Sequence, residues 1–219
     1  MIINIFDVDY TVIKKPSALY FIQEALSQKV IRVSQIWGLP FEWLRYKMGK
    51  PNTDFIEQAV RHIAGLEKKV LEDLAETCFL RRMESGIYTD AIQLISEMQQ
   101  RGETVIFASS SLRDIIQPLE RYLGISESIV SDLEFSDGKA TGRINGVSLF
   151  GGKKKNAVEQ WVKDHNIDPN DVSFYSDSYT DIPLLAYCGS AFAVNPDRFL
   201  KKEARKQGWQ VMRFRNTLG

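Results

Sequence analysis

The stretch Ile2-Ile3-Asn4-Ile5-Phe6-Asp7-Val8-Asp9-Tyr10-Thr11 decides how the rest of the chain is read. Its first half is a short apolar run, as in a parallel strand covered on both faces, and it ends in two carboxylates. Residues two apart on a strand share a face, so Asp7 and Asp9 point the same way if the extended geometry persists through Val8. Like charges at the end of a core strand repel, and carboxylates are seldom left unpaired there. A hard cation such as Mg²⁺ relieves that conflict, because it binds through one or two carboxylates and shares its other positions with water and substrate phosphate. The rival reading is that both aspartates only cap a turn, and a DxDxT pattern alone is too short to choose between them.

Outward from this strand the periodicity changes. Residues 16–83 read as an all-helical insertion: Pro16 suits a first helical turn, Leu19, Ile22, Leu26 and Val30 recur at helical spacing, and Phe55, Ala59, Ile63, Val70, Leu71 and Leu74 continue an apolar face. Breaks at Gly38-Leu39-Pro40 and Gly49-Lys50-Pro51-Asn52 divide it, the second preceding a helix capped near Thr53. Alternation then resumes: helix 89–100, strand 104–108 running into Ser109-Ser110-Ser111, and a helix from Leu112 to Leu123 closed by Gly124. An extended segment 128–135 leads into the hairpin turn Ser136-Asp137-Gly138-Lys139 and a return at 141–144, followed by helix 153–165. Strand 172–175 ends at Ser176-Asp177, a helix follows Asp181, and strand 191–194, a helix from Asp197 and strand 210–213 complete the series. This order predicts an α/β fold: a doubly wound, Rossmann-like parallel sheet made by residues 1–15 and 84–219, with residues 16–83 as a helical cap. Ligands in such sheets bind beyond the carboxyl ends of the strands, where Asp7, Asp9, Ser109 and Asp177 all fall.

The composition excludes several functions. Lysine plus arginine equals aspartate plus glutamate at 28 each in the 219 residues, which leaves no broad basic surface for nucleic acid. Cys78 and Cys188 lie far apart, so a disulfide framework is not expected, and His62 and His165 are too few for a zinc cluster. The N-terminus lacks a basic leader region, and the expected location is the cytoplasm. The segment 29–47 carries Trp37 and Trp43 among arginines; its charges and Pro40 exclude a plain membrane span. It is expected to pack the core of the insertion, with a substrate lid or a lipid-touching surface as the alternative.

The combination of FDVDYT, a strand ending in ASSS, a lysine heading a later helix and YSDSYTD resembles the haloacid dehalogenase-like (HAD) phosphatase superfamily across nearly the whole chain. The helical insertion after the first motif, the LEFSDGKATGRING hairpin, YSDSYTDIPLL and AVNPD resemble its phosphoserine-phosphatase-like subclass, IB. That resemblance implies Asp7 as nucleophile, forming an aspartyl-phosphate, and Asp9 as the acid and then base that also ligates Mg²⁺ through its carbonyl. Dehalogenase members lack an aspartate at the second position, so Asp9 implies phosphate chemistry. Ser109, with Ser110, would hold phosphoryl oxygens; otherwise Ser109 is a simple helix cap. Three consecutive lysines at a helix N-terminus oppose the macrodipole, which a nearby phosphate would offset. Alignment makes Lys154 the motif residue, with Lys153 competing. Asp177 would complete the Mg²⁺ site begun by Asp7 and Asp9, Asp181 would hold metal-bound water or Lys154, and Thr11 would fix the loop by hydrogen bonding.

One departure bears on the substrate. Phosphoserine phosphatases carry an acidic residue five places after the motif threonine, where this chain has Pro16 and then Ser17. The expected substrate is therefore a small phosphomonoester other than phosphoserine, such as a phosphorylated alcohol or a lysophospholipid, with Arg61 of the cap as a contact or merely an exposed helix arginine. The expected protein is a monomer or homodimer with a mobile cap. The rivals are a phosphotransferase or mutase, a phosphoacceptor signalling domain, and a non-catalytic binder of phosphorylated ligands.

Overall fold

Strand β1 (Ile3–Phe6) is buried along its whole length and its side chains alternate between two apolar cores. The chain is described here from a computed structural model, which covers residues 2–36, 38, 55–149 and 152–219. After β1 come α1 (Ser17–Ser27), α2 (Phe55–Val60), α3 (Lys68–Cys78), α4 (Thr89–Gln100), β2 (Thr104–Leu112), α5 (Arg113–Leu123), β3 (Ser128–Ser136) and β4 (Lys139–Asn145). These are followed by α6 (Lys153–Asp164), β5 (Val172–Ser176), α7 (Ile182–Leu185), β6 (Ser190–Val194), α8 (Arg198–Gln207) and β7 (Gln210–Met212).

The strands form one sheet in the order β4-β3-β2-β1-β5-β6-β7, parallel except for the antiparallel β3–β4 hairpin. Ile3 and Ile5 face a core shared with Val158 and Val162 of α6, Leu184 and Leu185 of α7, and Leu200 of α8. Phe6 faces the other core, with Phe107, Tyr175 and the apolar residues of α1, α3, α4 and α5. Both faces are thus covered, as a parallel sheet requires. The hairpin turn is the one expected from Asp-Gly: Asp137 and Gly138 both have positive φ, 49° and 74°, as a type I′ turn demands. Strand β2 runs on through the three serines to Leu112, because its pairing with β3 continues there after a register shift between Ala108 and Leu112. Helix α5 therefore begins four residues beyond Ser109.

In its described residues the insertion between β1 and β2 is helical, as expected, and it is docked on the core at two places. Tyr20, Phe21 and Ala25 of α1 and Leu71, Leu74, Ala75 and Cys78 of α3 share one apolar cluster with Ile115, Ile116, Leu119 and Leu123 of α5. The loop before α3 also pairs with the hairpin through backbone bonds from Gly65 N to Ala140 O, Ala140 N to Leu66 O and Lys68 N to Gly138 O, each 2.8 Å. Gly142 lies against Ala64 so closely that a Cβ there would sit 2.9 Å from the alanine methyl, at a φ of +79°. Trp37, Trp43, the Pro40 and Pro51 breaks and the Thr53 cap lie outside the described residues.

Leu74, 2% exposed, joins the insertion to that shared cluster. Leu74→Ala is expected to lower the unfolding free energy by about 3 kcal/mol, with tryptophan fluorescence and far-UV circular dichroism moving together in urea. Separate transitions for the two probes would show that the insertion and sheet do not share a core.

Candidate active site

Asp7 follows β1 directly and its amide donates to Tyr175 O of β5 at 2.9 Å, so the side chain is fixed at the carboxyl edge of the sheet. The chain then turns sharply. The Val8 carbonyl accepts from the amides of Thr11 (3.3 Å), Val12 (2.8 Å) and Ile13 (3.1 Å), and Tyr10 adopts a φ of +59°. The strand ends at Phe6, and the two carboxylates reach different partners while lying near enough for the charge of Asp9 to act on Asp7.

Asp7 Oδ1 accepts from Lys154 Nζ at 2.9 Å. The same ammonium donates to Asp181 Oδ2 at 2.8 Å, and Ser176 Oγ donates to that oxygen at 2.7 Å. Asp9 instead lies at the start of α1: Ser17 N donates to its Oδ1 at 2.8 Å and Ser111 Oγ to its Oδ2 at 3.4 Å. The hydroxyls of Ser17 and Ser111 are themselves 2.5 Å apart. Asp177 follows β5, with its carbonyl accepting from Asp197 N at 2.9 Å. Asp197 is anchored in turn, since it caps α8 through Phe199 N and Leu200 N and accepts from Tyr179 N. Asp177 is 8% exposed, and among the described residues no side chain donates to its carboxylate.

These groups are electrostatically unbalanced. Burial raises Asp7 to about 7, outweighing Lys154, and the charges of Asp181 and Asp9 add to it. Asp177 is driven well above the usual carboxylate range by burial and then by the charges of Asp7 and Asp181. Burial also lifts Asp9, against the opposing Ser17 amide. Burial disfavours the Lys154 ammonium, but Asp181 and Asp7 outweigh it and hold the group above its ordinary value. Three buried carboxylates and the half-buried Asp9 are therefore grouped about one cation, and further positive charge would be accommodated. Among the described residues no three histidine, cysteine, aspartate or glutamate side chains converge to hold a metal by side chains alone. Two carboxylates completed by a backbone carbonyl, water and phosphate oxygens would be a different donor set, of the kind Mg²⁺ accepts.

The structure separates the two lysine assignments. Lys154 is buried and touches Asp7, whereas the exposed ammonium of Lys153 lies 3.8 Å from Glu57 of α2. Ser109 is 1% exposed and lies within β2, two residues past the last residue that β2 pairs with β1, and its hydroxyl accepts from Ser111 N at 3.1 Å. It caps no helix, since α5 begins at Arg113 without a side-chain cap. Ser110 is half-buried and its carbonyl accepts from Ser131 Oγ at 3.2 Å. Thr11 departs from expectation: its side chain is fully enclosed and its hydroxyl has no hydrogen-bond partner, while the bonds to Val8 O close the loop. Arg61 is exposed on a turn packed against β4. Ser17, Ser111 and Ser176 contact the site aspartates and were not among the expected residues; the adjacency of Ser176 to Asp177 was the available signal.

A family model described as haloacid dehalogenase-like hydrolase matches residues 5–186. The chain belongs to this family. A histidinol-phosphatase of Neisseria meningitidis serogroup C is 30% identical over 96% of this chain and 98% of its own length. Phosphoserine phosphatase SerB1 of Mycobacterium tuberculosis is 27% identical over 96% of this chain and 70% of its own. A solved structure from Bordetella pertussis Tohama I, of unknown function, superposes with a TM-score of 0.84 at 24% identity, covering 96% of this chain and 97% of that one. The chain is thus a HAD phosphatase with the fold expected from its sequence.

The raised carboxyl of Asp7 has a consequence for stability. Its proton is held more tightly in the folded state, about 7 against 3.8, so the stability it contributes is fully present below about 3.8 and lost as pH rises through about 7. In EDTA, the melting temperature is expected to fall between about pH 5 and about pH 8, and Asp7→Asn to flatten that slope. A wild-type melting temperature that climbs across this interval would contradict the assignment.

Proposed function

We propose that this HAD phosphatase hydrolyses a small phosphomonoester in two displacements at Asp7, with Mg²⁺ as cofactor. The observation that carries the reading is the bridge of Lys154 between Asp7 and Asp181 beside Asp177, whose carboxylate has no donor among the described residues. Mg²⁺ held by the carboxylates of Asp7 and Asp177 and the carbonyl of Asp9 would neutralise the nucleophile and the incoming phosphate.

Asp7 attacks phosphorus through a carboxylate oxygen, the ester P–O bond breaks, and the alcohol departs with the proton of Asp9. Asp9 then takes a proton from water, the resulting hydroxide attacks phosphorus, and the acyl-phosphate bond breaks to restore Asp7 and release phosphate. Burial keeps Asp9 protonated to higher pH than an exposed aspartate, which suits the first step. Lys154 stabilises charge on Asp7 and the transferring group, Asp181 and Ser176 hold Lys154 in place, and Ser109 with Ser110 binds phosphoryl oxygens.

The substrate proposed is the phosphate ester of a small alcohol other than phosphoserine. Position 16 carries proline, so no carboxylate there meets an amino group, and the Ser17 amide that follows is engaged by Asp9. A histidinol-phosphatase related along its whole length supports a small-alcohol ester. No helix among the described residues is long and apolar enough to cross a membrane.

With an aryl phosphate and Mg²⁺, Asp7→Asn is expected to reduce turnover at least about 10³-fold while the circular dichroism spectrum stays the same, and Lys154→Ala to lower kcat by about 10²-fold. Chelation should abolish activity and Mg²⁺ restore it. Full turnover by Asp7→Asn would remove the mechanism, and alkyl phosphate formed in the presence of added alcohols would redirect it toward phosphoryl transfer.

A further inference from the structure

The two stretches that cross between the sheet and the helical insertion run side by side. Lys14 N donates to Gly86 O at 2.9 Å, Tyr88 N donates to Val12 O at 3.0 Å, and Ile13 bridges Ile87. The segment at residues 217–219 pairs with the returning stretch, through Leu218 N to Ile87 O at 3.1 Å and Gly219 N to Ser85 O at 3.0 Å. A cavity of about 320 Å³ opens where these three segments meet α1.

Its walls carry Lys14 and Lys15 from the outgoing stretch and Arg81 and Arg82 from the returning one, with Tyr20 and Gln23 from α1. The wall is built closely, since Gly86 has no room for a Cβ against the Tyr20 hydroxyl. No aspartate or glutamate lines the cavity among the described residues. The fully buried Glu24 lies beside the arginines, accepting from Arg82 Nε at 2.6 Å and lying 3.5 Å from Arg81 Nη1. Lys14 and Lys15 pair with no carboxylate among the described residues; the ammonium of Lys15 lies 5.9 Å from the Tyr20 ring centroid. Four cationic side chains thus face one cavity, against the carboxylate of Glu24 and the carboxyl end of Gly219 in the lining, in a chain whose charges balance overall. Guanidinium and ammonium groups converging in this way match the several acceptor oxygens of a phosphate.

We propose that this cavity binds a phosphate group, which ties the outgoing stretch to the returning one. None of its lining residues belongs to the cluster of Asp7, Asp9, Lys154 and Asp177, so it is a second anion site. Its connection to catalysis rests on the function proposed above: Ser17, two residues beyond Lys15, donates its amide to Asp9. A phosphate that fixes Lys15 also fixes the helix start that holds Asp9.

The test uses the whole chain carrying Lys154→Gln, which disables phosphate binding beside Asp7, with and without Lys14→Gln and Lys15→Gln. Inorganic phosphate is titrated by calorimetry, and sedimentation is measured with phosphatidylcholine vesicles with or without phosphatidic acid. Binding is expected to persist in Lys154→Gln and to weaken about tenfold or more when both lysines are replaced, a change of about 1.4 kcal/mol. Calorimetric binding without sedimentation identifies a soluble phosphate; sedimentation only with phosphatidic acid, lost in the lysine variant, identifies a lipid headgroup. In an otherwise wild-type chain the paired lysine substitutions should leave the melting temperature and basal turnover unchanged, and Arg81→Gln provides a second variant with the same expected weakening. Binding that the lysine substitutions do not alter, or no binding of either probe, overturns the proposal. Lost turnover in Lys154→Gln speaks only to the active site, so the two readings fail separately.

Discussion

Three buried carboxylates and one half-buried one, arranged around one ammonium, constrain everything else in this molecule. Asp7, Asp9, Asp177 and Asp181 are each nearly or largely removed from water, and Lys154 contacts only two of them. Unpaired charge in such surroundings is costly, and burial raises the carboxyl groups of Asp7, Asp9 and Asp177, so each holds its proton to higher pH unless positive charge is added. A stable fold tolerates this imbalance only if the surrounding structure strongly determines where each group sits. Here the determination comes from the sheet: β1 and β5 are neighbours in register, so the residues that follow them, Asp7 and Asp177, are delivered to one edge.

The helical insertion adds a second layer of placement. Helix α1 presents the Ser17 amide to Asp9, and α3 is buried against α5. The proposed proton donor is therefore oriented by the insertion, while the proposed nucleophile is oriented by the sheet. This division suits chemistry in which Asp9 must change protonation state twice while Asp7 stays in line with phosphorus. The backbone pairing of residues 65–68 with the β3–β4 hairpin shows that this part of the insertion is tied to the core and not only tethered by its two crossings.

Much of this was legible in the sequence because it depends on local rules. The apolar run into Asp7, the Asp137-Gly138 turn and the alternating strands and helices each have a periodicity or a turn chemistry that survives without knowledge of neighbours. The site lysine was legible only to within one residue, because helix position, which sequence periodicity does not fix that finely, decides whether Lys153 or Lys154 points inward. What stayed hidden was set by tertiary contacts. Strand β2 continues through Ser109–Ser111 because β3 lies beside it, and that continuation places Ser111 against Asp9. Ser17 and Ser176 act through partners distant in sequence or through a shared carboxylate oxygen, which no spacing rule signals. The Thr11 hydroxyl was expected to bond, yet Val8 O collects the amides that close the loop.

The central claim is that the charge deficit at this edge is met by one divalent ion shared between Asp7 and Asp177. Anomalous diffraction from crystals soaked in Mn²⁺, a stand-in for Mg²⁺ with a usable absorption edge, tests it directly. The account predicts a single strong peak in contact with both carboxylates and the carbonyl of Asp9, lost in Asp177→Asn. Mn²⁺ bound only elsewhere, with Asp7 and Asp177 each satisfied by protein groups alone, would contradict it.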